Sequence, residues 1–217
     1  MAVIKHPEQR VGIFIDTQNM YHSARDLYNA RVNFGKLVEE AVGDRRLVRA
    51  IAYVISTTGG EEKPFFEALK HAGIETREKD LQIFYGGGKK ADWDVGLAID
   101  AIRIAPALDV VIIVSGDGDF SPLVEYLKNH GLQVEVAGFR KTTATKLAEA
   151  ADAFTDLSEV ADSILIQAKP DFSKPKIDFA KPATNFVKKE YLAPAQRDTR
   201  PVRKPGGRAE RKPITDF

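Results

Sequence analysis

The sequence predicts an α/β domain on a mostly parallel central sheet of five to six strands, followed by a disordered basic tail. Three observations carry this. Apolar strand-like runs alternate with helical stretches along residues 9–160. The runs are continuously apolar rather than alternating, as in Val11-Gly-Ile-Phe-Ile15 and Val110-Val-Ile-Ile-Val114, the mark of strands covered on both faces. Charge then divides the chain: residues 168–217 hold 13 Lys or Arg against 6 Asp or Glu, while the first 167 hold 19 against 25. The formal total of +1 therefore describes neither part and says nothing about partners.

Taken in order, residues 11–15 form a first strand ending at Asp16, with a helical stretch behind it interrupted near Asn33. Residues 47–55 are a second strand and 61–72 a helix closed by Gly73, since glycine takes the left-handed C-terminal conformation at no steric cost. Residues 74–85 are extended up to the Gly86-Gly87-Gly88 break. A helix over 94–105 stops at Pro106. Residues 110–114 are the fourth strand, 122–129 a helix capped by Gly131, 132–137 a fifth strand, 143–151 a helix and 153–157 a sixth strand. A closing helix is expected over 161–167, and the tail starts at 168.

Composition removes several classes of chemistry. With no cysteine, disulfides, zinc–thiolate sites and thiol catalysis are excluded. The first ten residues lack the apolar core of a signal peptide, and no apolar run approaches the ~20 residues that span a bilayer. A cytoplasmic protein without membrane contact is the expectation. His6, His22, His71 and His130 fall in separate elements with no ligand spacing. Gly86–Lys90 lacks the first glycine and the Ser or Thr of a phosphate-binding P-loop. Gly116-Asp-Gly-Asp-Phe-Ser121 lacks the third glycine of a dinucleotide fingerprint.

In open α/β sheets, ligands sit beyond the carboxyl ends of the strands, where the topology changes direction. After the first strand stand Asp16 and Asn19; after the fourth come Ser115-Gly116-Asp117-Gly118-Asp119. Capping is the bland explanation for each acid. It is weaker for Asp117 and Asp119, because Ser121-Pro122 reads as N-cap and first helical residue. Gly116 and Gly118 would let the backbone turn tightly and approach a ligand. The helix from Asp94 is apolar on nearly every side and is expected to be buried. Asp94 in its first turn is a site candidate. Asp100 divides evenly between a site role and pairing with Arg103, and Asp92 reads sooner as a cap or loop acid. Trp93 beside them is expected to pack rather than to stack on a base.

Several carboxylates without clustered histidine or cysteine suit a hard cation, Mg²⁺ or Mn²⁺. Such an ion would offset the repulsion among them and assist phosphodiester hydrolysis. The segments Phe14-Ile-Asp-Thr-Gln-Asn19, Lys89-Lys-Ala-Asp-Trp-Asp-Val-Gly-Leu-Ala-Ile-Asp100 and Ser115-Gly-Asp-Gly-Asp-Phe120, in that order, resemble the NYN domain, most of all its LabA-like bacterial branch. The resemblance covers about residues 9–160, with no departure at these motifs. It implies a PIN-like, Rossmannoid three-layer α/β/α fold and an acidic, Mg²⁺-dependent ribonuclease site. Carried over, the metal-site acids are Asp16, Asp94, Asp117 and Asp119, with Asp100 and Asp92 in a second tier. Asn19 would orient a ligand or water, and Ser115 joins it as a substrate contact. Lys89 and Lys90 are offered as contacts to a phosphate backbone, against the blander reading of a solvated loop.

The tail carries a degenerate seven-residue repeat around Phe172, Phe179 and Phe186, each followed by lysine. Pro175 and Pro182 exclude a coiled coil. Spaced aromatics beside cations suit multivalent contact with RNA or a protein partner. Two functions follow: a metal-dependent ribonuclease, or a non-catalytic regulatory module binding RNA, a nucleotide or a protein on the same fold. A phosphatase is disfavoured because Gln18 stands where a second acid would be needed.

Overall fold

In the computed structural model, the described residues are 3–56, 62–80, 82–83, 89–90 and 93–167, with 82–83 and 89–90 described by backbone alone. The strands are β1 (Arg10–Asp16), β2 (Ala30–Val32), β3 (Arg46–Ser56), β4 (Glu75–Asp80), β5 (Gln82–Ile83), β6 (Lys89–Lys90), β7 (Val110–Val114), β8 (Gln133–Gly138), β9 (Ala153–Asp156) and β10 (Leu165–Gln167). The helices are α1 (Thr17–Tyr28), α2 (Phe34–Val42), α3 (Lys63–His71), α4 (Asp94–Ile104), α5 (Ser121–Asn129), α6 (Thr145–Ala150) and α7 (Ala161–Ile164).

Six strands form one sheet in the order β4-β3-β1-β7-β8-β9, and every pairing in it is parallel. Each face carries its own apolar layer. Val110, Ile112 and Val114 of β7 pack with Met20, Leu37 and Phe139 on one side. Val111 and Ile113 pack with Leu97, Val124 and Leu147 on the other. Because successive strand residues point to opposite faces, a strand covered twice must be apolar throughout. All five residues of β7 are accordingly buried. This is the three-layer α/β/α arrangement that the sequence predicts.

Most deviations from the expected elements are at their ends. The stretch after β1 divides where Asn29 takes a left-handed conformation (φ 48°) and ends α1; Asn33 then caps α2, accepting from the Lys36 amide. Gly73 and Gly131 take the expected positive φ, 73° and 87°. The closing helix is shorter than expected. It ends at Ile164, and Leu165–Gln167 instead pairs antiparallel with Val32–Ala30, whose backbone groups would otherwise lack partners. Lys89–Lys90, read from the sequence as loop, pairs antiparallel with Gln82–Ile83.

The expectation of a buried α4 is wrong. Leu97 and Ala101 face the core, but Val95, Ile99 and Ile102 are 70%, 49% and 37% exposed. The sheet covers one side of this helix, and an all-round apolar pattern cannot reveal that the other side is left open. Among the described residues no helix is long and apolar enough to cross a membrane.

One ionic interaction lies deep in the fold. Arg45 and Glu135, each with 2% of its side chain exposed, meet at 2.6 Å. Arg45 also donates to the carbonyls of Ala41 and Val42 at the end of α2, and Gln133 donates to Glu135. The pair thus ties the C-terminus of α2 to β8. Removing one partner leaves a buried charge uncompensated. Arg45→Met should therefore lower the unfolding free energy by about 3–5 kcal/mol, read by urea denaturation at neutral pH.

Candidate functional site

The chain leaves β1 toward β3 on one side, while β7 occupies the other side of β1. The connections therefore diverge between β1 and β7 and leave a crevice at their carboxyl ends. The register Ile15↔Val114 brings Asp16, the last residue of β1, and Ser115, the first after β7, next to each other.

A chain of hydrogen bonds holds them. The Asp16 carboxylate accepts from the Asn19 amide at 3.1 Å, capping α1, and from the Ser115 hydroxyl at 3.0 Å. Ser115 Oγ in turn accepts from the Asp117 amide at 3.1 Å. Asn19 Oδ1 accepts from the Gly116 amide at 2.8 Å. Asn19 and the buried Ser115, expected as ligand contacts, thus spend these groups on joining the two strand ends.

Asp16 keeps some contact with solvent, but its carboxyl is closely surrounded by protein. That burial pushes its pKa above the usual carboxylate range, and the negative charge of Asp117 adds to the effect; the bonds from Asn19, Ser115 and Gln18 act the other way. Among the described residues no Lys or Arg forms an ion pair with Asp16 or Asp117.

Ser121 is not the N-cap that the sequence predicts. A 3₁₀ turn, Gly118–Phe120, runs directly into α5, so Ser121 is already the first helical residue and donates its hydroxyl to the Gly118 carbonyl. Capping moves upstream to Asp117, whose carboxylate accepts from the Asp119 amide at 2.9 Å. Asp119 has no such duty. It lies 3.5 Å from the ammonium of Lys146, with the two side chains 81% and 63% exposed.

Asp94 opens α4. The preceding Trp93 donates from its indole nitrogen to the Val54 carbonyl at 2.8 Å and packs against Tyr53. Tyr53 is the register partner of Asp16, so this anchor sets Asp94 at the same carboxyl edge. The helix then packs on β1 and on the turn 118–120. Trp93 is packed, as expected. Asp100 is drawn elsewhere. It accepts from the Tyr53 hydroxyl and from Arg77, both at 3.2 Å, with Arg103 at 3.9 Å. Burial, together with the Asp100 charge, holds the Tyr53 phenol well above its ordinary pKa. The closer partners of Asp100 are thus Tyr53 and Arg77, with the expected Arg103 farther off. Asp92 and the side chains of Lys89 and Lys90 lie outside what is described.

Gly116 and Gly118 have a different purpose from the one expected. A Cβ on Gly116 would stand 2.6 Å from the Thr142 carbonyl oxygen, and one on Gly118 would stand 2.2 Å from Lys146 Cε. The free space is filled by the segment 142–146, not left open to a ligand. That segment, and Lys146 in particular, is what sequence reasoning missed. The signal was two glycines flanking Asp117 with no need for a positive φ.

Among the described residues, no three His, Asp or Glu side chains are gathered as a formed metal centre. A shallow groove lined by Ile102, Pro106, Leu108, Tyr126, His130 and Leu132 lies at the opposite, amino edge of the sheet. It contains no carboxylate and is separate from this crevice.

The chain is similar to known proteins in sequence and fold. Residues 10–159 match the model of the NYN domain. The Low amplitude and bright protein LabA of Synechococcus elongatus is 26% identical over 171 residues, spanning 75% of this chain and 91% of its own. The crystal structure of a Vibrio parahaemolyticus protein of unknown function superposes with a TM-score of 0.67 at 33% identity, covering 76% of this chain and 100% of that one.

Two outcomes follow from the packing and charge of the crevice. Gly116→Ala forces a backbone carbonyl to move and should cost about 1–3 kcal/mol, measured by urea denaturation. Asp16→Asn keeps the cap and removes the charge. A raised folded-state pKa means that the native chain binds more protons than the unfolded one above about pH 4, so ionising Asp16 there lowers stability. In EDTA at pH 7 the Asn variant should melt at a higher temperature than the unsubstituted chain. The difference should fade as the pH falls below about 4, where both side chains are neutral.

Proposed function

The chain belongs to the NYN domain family, and from that premise we propose that it is a ribonuclease hydrolysing RNA phosphodiester bonds with Mg²⁺ or Mn²⁺ held by Asp16, Asp94, Asp117 and Asp119. The family points to PIN-like nucleases. The observation that carries the reading is an electrostatic one. Two neighbouring carboxylates hang from the centre of the sheet, one of them well buried, with no protein cation paired to either among the described residues. A pair of this kind is costly unless a proton or an external cation offsets it. Hard oxygen donors fit Mg²⁺ or Mn²⁺.

When bound, such an ion supplies a polarised water and stabilises charge on a phosphate. The chain's own residues do the positioning. Asn19 and Ser115 fix the orientation of the Asp16 carboxylate. The Asp119 amide fixes that of Asp117. The Trp93 bond to Val54 anchors the start of α4, from which Asp94 would reach the crevice. Asp119 is paired with Lys146, but an exposed pair at this distance is weak enough to yield to a stronger cation.

The second reading is a non-catalytic regulatory module that binds RNA, a nucleotide or a protein. The structural duties of Asp117, as cap, and Asp119, as partner of Lys146, are what favour it.

Cleavage of a labelled single-stranded RNA with and without Mn²⁺ separates the two. The unsubstituted chain should cut only with the metal, and Asp117→Asn should reduce cutting by more than about 100-fold. The Asn side chain can still cap the 3₁₀ turn, so the loss reports ligand chemistry rather than unfolding. Metal-dependent cutting that persists in the variant would remove the assigned site. No cutting, with a melting temperature indifferent to Mn²⁺, would favour the regulatory module.

A further inference from the structure

The segment Arg140-Lys-Thr-Thr-Ala-Thr-Lys146 contains three cations, three threonines and no acid, in a folded part whose charge is otherwise mainly negative. It follows β8, which pairs with β7, so it arrives at the carboxyl edge directly beside the turn bearing Asp117 and Asp119. Its backbone is fixed there. The Ala144 amide donates to the Gly116 carbonyl at 2.9 Å, and the Thr142 carbonyl fills the space above Gly116. The Thr142 hydroxyl bonds to Ser23 of α1 at 2.8 Å, and that of Thr143 to the Phe139 carbonyl at 2.9 Å.

The cations on this rigid strip differ in what they are free to do. Arg140 is committed: its guanidinium lies over the Phe154 ring at 4.2 Å and faces Asp156. Lys141 is exposed and makes no ion pair among the described residues. The stem of Lys146 passes over Gly118 beside the methyl of Ala144, and its ammonium stays largely in solvent beside Asp119. The ammonium of Lys146 thus stands at the edge of the turn that bears Asp117 and Asp119.

We propose that the 140–146 strip is the phosphate-binding side of this site, with Lys146 and Lys141 gripping the backbone of a single-stranded RNA at the carboxylate crevice. The proposal rests on the ribonuclease reading for its substrate class. Both lysines act as point charges on phosphate oxygens, so they add affinity without sequence preference. They also answer an electrostatic difficulty. A phosphodiester approaching Asp16, Asp117 and Asp119 meets repulsion, and a fixed cation on the same rim offsets it before any metal is engaged.

The test is fluorescence anisotropy of a labelled uridine oligonucleotide with the full chain in EDTA, across a salt titration. Cleavage does not enter, so this measurement and the metal-dependent assay fail separately. Lys146→Gln and Lys141→Gln should each weaken binding roughly five- to tenfold at 50 mM salt and lower the slope of log K against log salt by about 0.7. The double variant should roughly combine the two losses. Lys70→Gln, an exposed cation in the last turn of α3, should leave both quantities unchanged, and all variants should keep the parent melting temperature. Unchanged affinity and slope in the double variant would overturn the proposal. So would equal losses in Lys70→Gln, or no binding by the unsubstituted chain.

Discussion

Everything at the carboxyl edge depends on β1 and β7 being neighbours in the middle of a parallel sheet. Their connections leave on opposite sides, so no helix covers the point between them, and the residues that end each strand face one another across a crevice. The bond from Ser115 to Asp16 then fastens the two ends at side-chain level. Since both strands are covered on both faces, neither end can shift without disturbing two cores. The site is therefore stiff where its carboxylates are mounted.

The same stiffness sets the electrostatics. Asp16 lies where its charge is poorly solvated, while Asp117 is close enough to raise its pKa further. Amide and hydroxyl donors orient these groups without neutralising them. Lys146 lies 3.5 Å from Asp119, whose side chain is largely exposed. Charge is thus graded across the crevice, from uncompensated and buried to paired and solvated.

Much of this could be read from the residues alone, and the failures have identifiable causes. The strands were legible because a double-covered strand must be apolar at every position. That Asp16 and Asp117 stand at neighbouring strand ends was legible because the switch-point rule says where to look. Asp100 could not be resolved, since its partners Tyr53 and Arg77 are distant in sequence and come from β3 and β4. The exposure of α4 was misread because an apolar helix looks alike whether one side or two are covered. The capping argument failed by a single residue, because a 3₁₀ turn continuous with α5 has no signal that separates it from a loop. The tail and its phenylalanine repeat lie outside the described residues.

The sequence by itself determined the alternation of strands and helices, the acidic charge of residues 1–167 against the basic charge of 168–217, and the identity of the acids at two strand ends. These follow from local composition and periodicity, which the chain carries without reference to its fold. Only the tertiary structure decided which acids stand together at the carboxyl edge, which is a cap, which is paired and which is drawn to side chains of β3 and β4. It also decided that the glycines beside Asp117 make room for the 142–146 segment. Those outcomes rest on contacts between residues far apart in the chain, such as Asp16 with Ser115 and Gly118 with Lys146. Such contacts exist only once the strand order has brought the segments together.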